Sequence, residues 1–508
     1  MRKLVLLLLL SIFVSSFHSL TAQRKPIQFF RPYDLRGVNV FETAKDDTVD
    51  FDGLALRIGA NFTQQFQSLN HSNTARAILT PVTVTTPALP RLRETAPGTG
   101  MFETYPSGAN PSVIQHGIRH APGVYAGFLN GSNQLYTNSN ALYELAPGFN
   151  LAMANLNIDV QLADGIRVSL VSYMSSRHHN EFWVKGGYFQ IDKVSVLNND
   201  FLNQLWKNLT LKIGHMEINY GDAHFRRSDG GNTIWNPFVE NYILDAFATE
   251  IGAEMYWQKA GVLAMLGVTD GEIQGSVTRP KDRSPSIYGK IGFDKMFGNV
   301  RARLTGSLYT TKSSISNTLY AGDRTGSHYY FIMEPTTATL SGNYTSGRLN
   351  PNLRDNVTAF MINPFLKVAG FELFGTYEIA KGSTALERGE VQSFDPSVAR
   401  LAKRDDRKFN QVAIDVLYRF LNDKLYIGAR YNKADGTLAF DQNAATFNQG
   451  NNIDVSIDRT SIGAGWFITD NIMFKAEYVT QNYDDFPVDD IRRGGKFDGW
   501  IVEGTIGF

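Results

Sequence analysis

The 508-residue chain contains 0 Cys, so it has neither disulfides nor thiolate chemistry nor a cysteine zinc site. Past residue 22 it also lacks any apolar run near the roughly 20 residues that a membrane-spanning helix needs. Charge of either sign is not in excess: Lys and Arg total 49 and Asp and Glu total 49, a balance that gives no sign of a nucleic-acid partner. Phosphate-cradling glycine loops are missing, because Gly186-Gly187 and Gly494-Gly495 precede no helix signal. His116 and His120 have a metal-chelating i, i+4 spacing, but Gly117, Pro122 and Gly123 oppose a helix and no third ligand stands out. No metal and no cofactor is expected. No Ser-His set can be picked by spacing, and His178-His179 reads as the cap of a short turn, so no catalytic residue is assigned.

What the chain does have is aromatic residues, at 12%, and 45 Gly, with a mean hydropathy of only -0.22. A polar average with many aromatics is what strict alternation produces when half of each strand faces lipid and half faces water. Leu54 to Ser68 alternates for 15 residues, with Leu54, Leu56, Ile58, Phe62 and Phe66 on one face and Arg57, Asn61, Gln65 and Gln67 on the other. A second strand carries Leu156, Ile158, Val160 and Leu162, turns at Ala163-Asp164-Gly165, and returns through Ile166, Val168 and Leu170. Hairpins are expected from Phe247 to Trp257 about Lys259-Ala260-Gly261, and from Ile287 to Phe293 through Met296-Phe297-Gly298-Asn299 into Arg301 to Tyr309. Further tight turns fall at Val368-Ala369-Gly370, Leu421-Asn422-Asp423-Lys424 and Thr469-Asp470-Asn471.

The pattern predicts an all-β transmembrane antiparallel barrel of roughly 16 strands, within about 14 to 18, with short periplasmic turns and long outer loops. An even count places both ends of the barrel in the periplasm. Two stretches leave the count open: Val194 to Asn208, a long periplasmic connection, and His328 to Leu340, either a strand or part of an outer loop.

At the amino end, Arg2 and Lys3 precede an apolar stretch from Leu4 to Phe17 and small residues before Gln23, which reads as a signal peptide over residues 1–22. Its removal leaves 47 basic and 49 acidic residues, a formal net charge of -2. Residues 23–50 are then an N-terminal periplasmic segment, either a small plug in the barrel mouth or a tail, and residues 51–508 the barrel. Residues 70–148 form the longest insertion and carry seven prolines from Pro81 to Pro122. Such a loop is either a constriction folded into the lumen or a surface cap.

At the carboxy end Trp500, Val502, Ile506 and Phe508 share one strand face, with Glu503 and Thr505 on the other. This ending resembles the C-terminal signal of bacterial outer-membrane β-barrels. The resemblance implies that the last strand closes the barrel against the first and that the terminal aromatic is recognised by the barrel-assembly machinery. The segment Leu209 to Asp222, with its alternation, internal Gly214 and closing Gly221-Asp222, is similar to a strand-to-loop element of Gram-negative porin-like families, including phosphate-selective and alginate-export types. The likeness covers residues 51–508 and implies the cell outer membrane, with lipid and lipopolysaccharide as neighbours.

Parity places Arg57, Arg167, Lys212, Lys290, Arg301, Arg303, Arg419, Arg430 and Lys475 on the inward face, with Glu372, Glu378, Asp415, Glu477 and Glu503. On the lipid face such charges would cost a few kcal/mol each at midplane. They either line an aqueous pore or pair across neighbouring strands. Arg301 and Arg303, two apart on one strand, are the leading candidates for ion selectivity, followed by Arg57 and Arg167. The run Arg400 to Lys408 is expected in an outer loop, as an anion attractor or a solvated stretch. The acids among the inward charges speak against a polyuronate conduit. The expected function is passive diffusion of small hydrophilic solutes with a mild anion preference. Two alternatives stand beside it, a plugged barrel that binds a partner and a barrel enzyme.

Overall fold

A computed structural model describes residues 26–81, 91–94, 101–105, 114–115, 118–121, 124–129, 132–179, 181–271, 284–312, 317–384, 387, 405–439 and 453–508. The leader call, His116 and Arg400 to Arg404 lie outside the described residues.

Sixteen antiparallel strands close into a barrel. In chain order they are β1 (Ala55–Ser72), β2 (Met153–Ala163), β3 (Ile166–Met174), β4 (Trp183–Ile191), β5 (Leu209–Glu217), β6 (Thr249–Lys259), β7 (Val262–Thr269) and β8 (Ser286–Phe297). Then follow β9 (Val300–Thr310), β10 (Asp355–Val368), β11 (Phe371–Ser383), β12 (Arg407–Phe420), β13 (Leu425–Thr437), β14 (Asp454–Thr469), β15 (Ile472–Asp484) and β16 (Lys496–Gly507). Each strand pairs with its sequence neighbours. Closure comes from β1 against β16, in a register that sets Phe62 opposite Ile506 and Gln65 opposite Glu503.

Turn chemistry fixes the register of the hairpins. Between β6 and β7, Lys259 pairs with Val262 across Ala260 (φ 51°) and Gly261 (φ 76°), the left-handed pair that suits a two-residue hairpin. Between β10 and β11, Ala369 (φ 48°) and Gly370 (φ 87°) do the same.

Parity then decides which face meets lipid. Along β1, Leu56, Ile58, Phe62 and Phe66 are exposed while Asn61, Thr63, Gln65 and Gln67 are buried. Trp257, Tyr418, Trp466 and Trp500 add exposed aromatics to the outer face. A closed barrel with an apolar outer face satisfies every strand hydrogen bond while facing lipid, so the fold is that of an integral outer-membrane β-barrel.

The structure sharpens or corrects four expectations. β6 begins at Thr249, because Phe247 points into the protein beside Arg227 and Lys185, with the cationic groups 4.2 and 4.9 Å from its ring. The connection over 194–208 contains a short helix, α1 (Asp200–Trp206), whose first turn is capped by the Asn199 side chain accepting from the Leu202 amide at 3.0 Å. Residues 328–340 form no strand, only turns and a single bridge from Pro335 to Leu142. Arg407 and Lys408 belong to β12 rather than to an outer loop.

Candidate functional site

The barrel interior is filled by chain. Three segments without barrel strands occupy it: residues 26–54 from the periplasmic end, residues 218–248 between β5 and β6, and residues 317–354 between β9 and β10. Ile218, Val239, Ile243, Leu244, Ile332 and Leu349 from the latter two join Leu69, Phe409, Val479 and Ile501 from the wall in one hydrophobic core. The 218–248 insert meets the wall closely. At Gly231 a Cβ would stand 2.5 Å from the Asn61 carbonyl oxygen and 2.6 Å from the Ala154 Cα, so only glycine fits there.

An irregular segment buried in a barrel cannot satisfy its own backbone groups, and each orphan would cost free energy. Here the inward charges of the wall do that work. Lys475 Nζ donates to the carbonyls of Thr233, Asn236 and Phe238 at 3.0, 3.2 and 3.0 Å. Arg430 donates to the Glu240 carbonyl at 2.8 Å, and Arg459 to the carbonyls of Asn241 and Gly347 at 2.7 and 2.6 Å. In the other direction, the amides of Val239, Ile243 and Leu244 donate to Glu477, Asn432 and Gln411 at 2.6, 2.6 and 2.8 Å.

Three carboxylates tie the segments together. Asp222 of the insert accepts from Lys290 at 2.8 Å, Arg303 at 2.8 and 2.9 Å and Thr305 at 2.7 Å. Glu42 of the N-terminal segment accepts from the same Arg303 at 2.6 Å. Burial would push the Glu42 carboxyl up, but Arg303 and Lys290 outweigh it and hold it down at about 2. Glu372 of the wall accepts from Asn39 at 2.6 Å, Arg226 at 2.7 Å and Arg419 at 2.7 Å, which joins the N-terminal segment, the insert and β12. Deeper in the insert, burial raises and Arg348 lowers the Glu240 carboxyl, which ends at about 2.

Arg57, Arg167, Lys212, Lys290, Arg301, Arg303, Arg419, Arg430, Lys475, Glu372, Glu378, Asp415, Glu477 and Glu503 all sit on strands of the wall, and none is among the large exposed faces that meet lipid. Their partners are the surprise. Cross-strand pairing accounts for Arg430 with Asp415 at 2.7 Å, Lys475 with Glu503 at 2.6 Å, Arg419 with Glu372 at 2.7 Å and Arg301 with Asp294 at 2.7 Å. Most other bonds run to the filling segments, a role that neither pore lining nor strand-to-strand pairing describes. Arg303 is held by Asp222 and Glu42, and Arg301 by Asp294 at 2.7 Å and the Asn39 carbonyl at 3.0 Å. Neither lines either of the two cavities along the opposite wall.

Open space lies on the opposite wall. A cavity of 240 Å³ near the N-terminal segment and another of 140 Å³ share Tyr33, Ser169, Val171, Tyr188, Met216, Glu217 and Trp235 as lining. Together they run along the inner face of β2 to β6, from Phe30, Gln190 and Thr210 to Lys185, Asp229 and Thr249. Arg167 and Lys212 of the inward set lie here. The insert that forms the inner side of this space was not read from the sequence. Its signal was available: 218–248 breaks the two-residue alternation yet carries Ile234, Trp235, Phe238, Val239, Tyr242, Ile243 and Leu244, too apolar for a loop in water.

The described parts of the 70–148 insertion lie over the outer rim. Arg76 pairs with Asp489 at 2.5 Å, Asn140 donates to the Asp489 carbonyl at 3.0 Å, and Tyr143 stacks on Phe331 at 4.3 Å. Short strands between residues 78 and 138 form a separate seven-stranded sheet. The lumen is occupied by 218–248 rather than by the described parts of 70–148. At the carboxy end Trp500, Val502, Ile506 and Phe508 are exposed on the outer face, with Glu503 and Thr505 buried inside. The Phe508 amide and carbonyl bond to Ala60 of β1 at 3.0 and 3.1 Å.

Fold and interior define the class: an outer-membrane β-barrel of sixteen strands with an occupied lumen. No family model and no curated protein matches the chain. Among solved structures it is similar to in-vitro-folded OmpT, an outer membrane protein of Vibrio cholerae, at 10% identity and a TM-score of 0.41, over 91% of this chain and 99% of that one. The outer membrane channel DcaP of Acinetobacter baumannii matches at 9% identity and 0.41, over 90% and 99% of the two chains. OccK7 of Pseudomonas aeruginosa matches at 9% and 0.37, over 89% and 99%. Likenesses this distant carry no argument about what this barrel conveys.

Proposed function

We propose that the protein is an outer-membrane channel for small hydrophilic solutes, with the route confined to the space between the 218–248 insert and the inner face of β2 to β6. The observation that carries the reading is the pair of adjoining cavities with seven lining residues in common, between the insert and the inner face of β2 to β6. Selection by size follows from the narrow space, and a mild anion preference from Arg31, Arg167 and Lys212 along it. The role is transport and involves no reaction. Lipid and lipopolysaccharide surround the barrel in this reading, and the assembly machinery recognises the Trp500 to Phe508 strand.

Planar-bilayer recordings test it directly, and the absence of Cys makes the test clean. Ser169→Cys places one thiol where the two cavities meet. A charged methanethiosulfonate reagent should then reduce conductance in the variant and leave the parent protein unaffected. Unmodified current in a fully labelled variant, or no conductance from the parent protein, would reject the reading. A second reading, a plugged barrel, draws on the N-terminal segment, whose Phe30, Arg31, Tyr33, Phe41 and Glu42 wall off the periplasmic end of the larger cavity. Deleting residues 26–50 separates the two: a plug predicts conductance only in the deletion.

A further inference from the structure

The connection between β4 and β5 differs from the tight hairpins beside it. β6 meets β7 through Ala260-Gly261 and β10 meets β11 through Ala369-Gly370, whereas residues 192–208 build a single helical turn and then α1 (Asp200–Trp206). This stretch leaves four large apolar side chains uncovered: Val196 is 60% exposed, Leu197 59%, Phe201 74% and Leu205 47%. A connection that hung in water would carry polar residues at those positions.

α1 has two unlike halves. At about 100° per residue, Phe201, Leu202, Leu205 and Trp206 fall in one sector, and Asp200, Asn203, Gln204 and Lys207 in the other. Leu202 and Trp206 are half-buried, and Trp206 Nε1 donates to the Ile191 carbonyl at 3.3 Å, which sets the helix against the end of β4. Phe201 and Leu205 extend the same apolar sector beyond what the barrel covers.

The neighbouring surface of the barrel is its lipid-facing wall. The Asn208 carbonyl accepts from the Gln258 amide at 2.8 Å, and Leu209 stands opposite Trp257, an exposed aromatic of the outer face. Leu211 and the exposed Ile213 share the face of Leu209 by parity. Tryptophans gather where membrane meets water, so Trp257 marks that boundary. Leu205 is four residues from Leu209, at most about 14 Å of chain, and the apolar sector of α1 continues the surface that the wall presents to lipid.

We propose that α1 is an interfacial helix seated in the periplasmic leaflet of the outer membrane. Val196, Leu197, Phe201 and Leu205 enter the boundary of the acyl chains. Asn203, Gln204 and the exposed Lys207 stay with the phospholipid headgroups, whose phosphates suit the Lys207 ammonium. The occupant of the apolar patch is phospholipid, the solvent that the adjoining wall already meets. This seat goes beyond the channel reading and stands whether or not the barrel conducts.

Because the chain has 0 Cys, single thiols report on this helix without background. Phe201→Cys, Leu205→Cys and, on the polar half, Asn203→Cys are each labelled with a nitrobenzoxadiazole dye. The full chain is placed in vesicles of phosphatidylethanolamine and phosphatidylglycerol in which part of the lipid carries brominated acyl chains. Labels at 201 and 205 should be quenched severalfold more strongly than the label at 203, with blue-shifted emission at every protein-to-lipid ratio. Equal quenching at 201 and 203 overturns the proposal. A blue shift at 201 without bromine quenching overturns it in favour of a covering segment of this chain, and a shift confined to high protein density in favour of a second copy. Compact mobility in unheated gels reports folding, and should Phe201→Cys fail to fold, Leu205→Cys and Val196→Cys carry the same comparison.

Discussion

The two inner walls of this barrel carry similar residue types for opposite ends. Along β8 to β15, Lys290, Arg303, Glu372, Arg419, Arg430, Lys475 and Glu477 are bound to the insert, to the N-terminal segment or to each other. Along β3 and β5, Arg167 and Lys212 form no ion pair among the described residues and border open space. An inward charge in a barrel is therefore not by itself a statement about solute. On the fastened wall it replaces the strand partners that an irregular insert lacks, and on the other wall it borders open space.

Substitution of Asp222 should break the fastened side most. Asp222→Leu removes the acceptor of Lys290, Arg303 and Thr305 and leaves two buried cations short of a partner. Breaking one side of a buried ion pair costs about 3–5 kcal/mol. The insert should leave its seat, seen as new proteolytic cleavage within 218–248 and larger, noisier single-channel currents. A protected insert in the variant would show that Asp222 is not a fastener. Lys475→Met should come next, at about 2–4 kcal/mol, because it strips three insert carbonyls of their donor and Glu503 of its cation. The same proteolysis would detect it.

Acid should loosen the same wall without mutation. Glu42 and Glu240 each have a carboxyl held down at about 2 in the docked state, against an ordinary value of 4.5. A depressed carboxyl stabilises docking fully above the ordinary value, and that contribution is lost as pH falls toward the docked value. Conductance noise and protease access to 218–248 should therefore rise between about pH 4.5 and 2. Glu42→Gln together with Glu240→Gln should show the loosened behaviour already at pH 7, and a pH-independent insert would contradict the assignment.

The barrel was legible because alternation is a local, repeated signal: Leu56, Ile58 and Phe62 on β1 declare the lipid face, and Ala260-Gly261 declares a two-residue turn. Inward parity of Arg303 or Glu372 follows from the same period. What those side chains hold does not, because Arg303 meets Asp222, 81 positions away, and Glu372 meets Asn39, 333 positions away. Partners that distant are fixed by how the insert packs. The 218–248 insert escaped notice because a filling segment has no period, only an excess of large apolar residues where a loop should be polar. Arg301 and Arg303 looked alike from their spacing, yet burial separates them, with side chains 29% and 3% exposed.

That difference sets the smallest effect. Arg301 pairs with Asp294 in a part-exposed position near the β8–β9 turn, and such a pair contributes about 0–1 kcal/mol. Its guanidinium also borders neither cavity on the β2 to β6 side. Arg301→Gln should therefore fold with nearly the parent stability and conduct with the parent ion selectivity. Lys212→Met, equally mild for folding, should shift reversal potentials toward cations, and the shift should shrink at 1 M salt, where the Debye length is about 3 Å. If Arg301→Gln changed selectivity as much as Lys212→Met does, solute would be passing along the fastened wall as well, and the division between the two walls would fall.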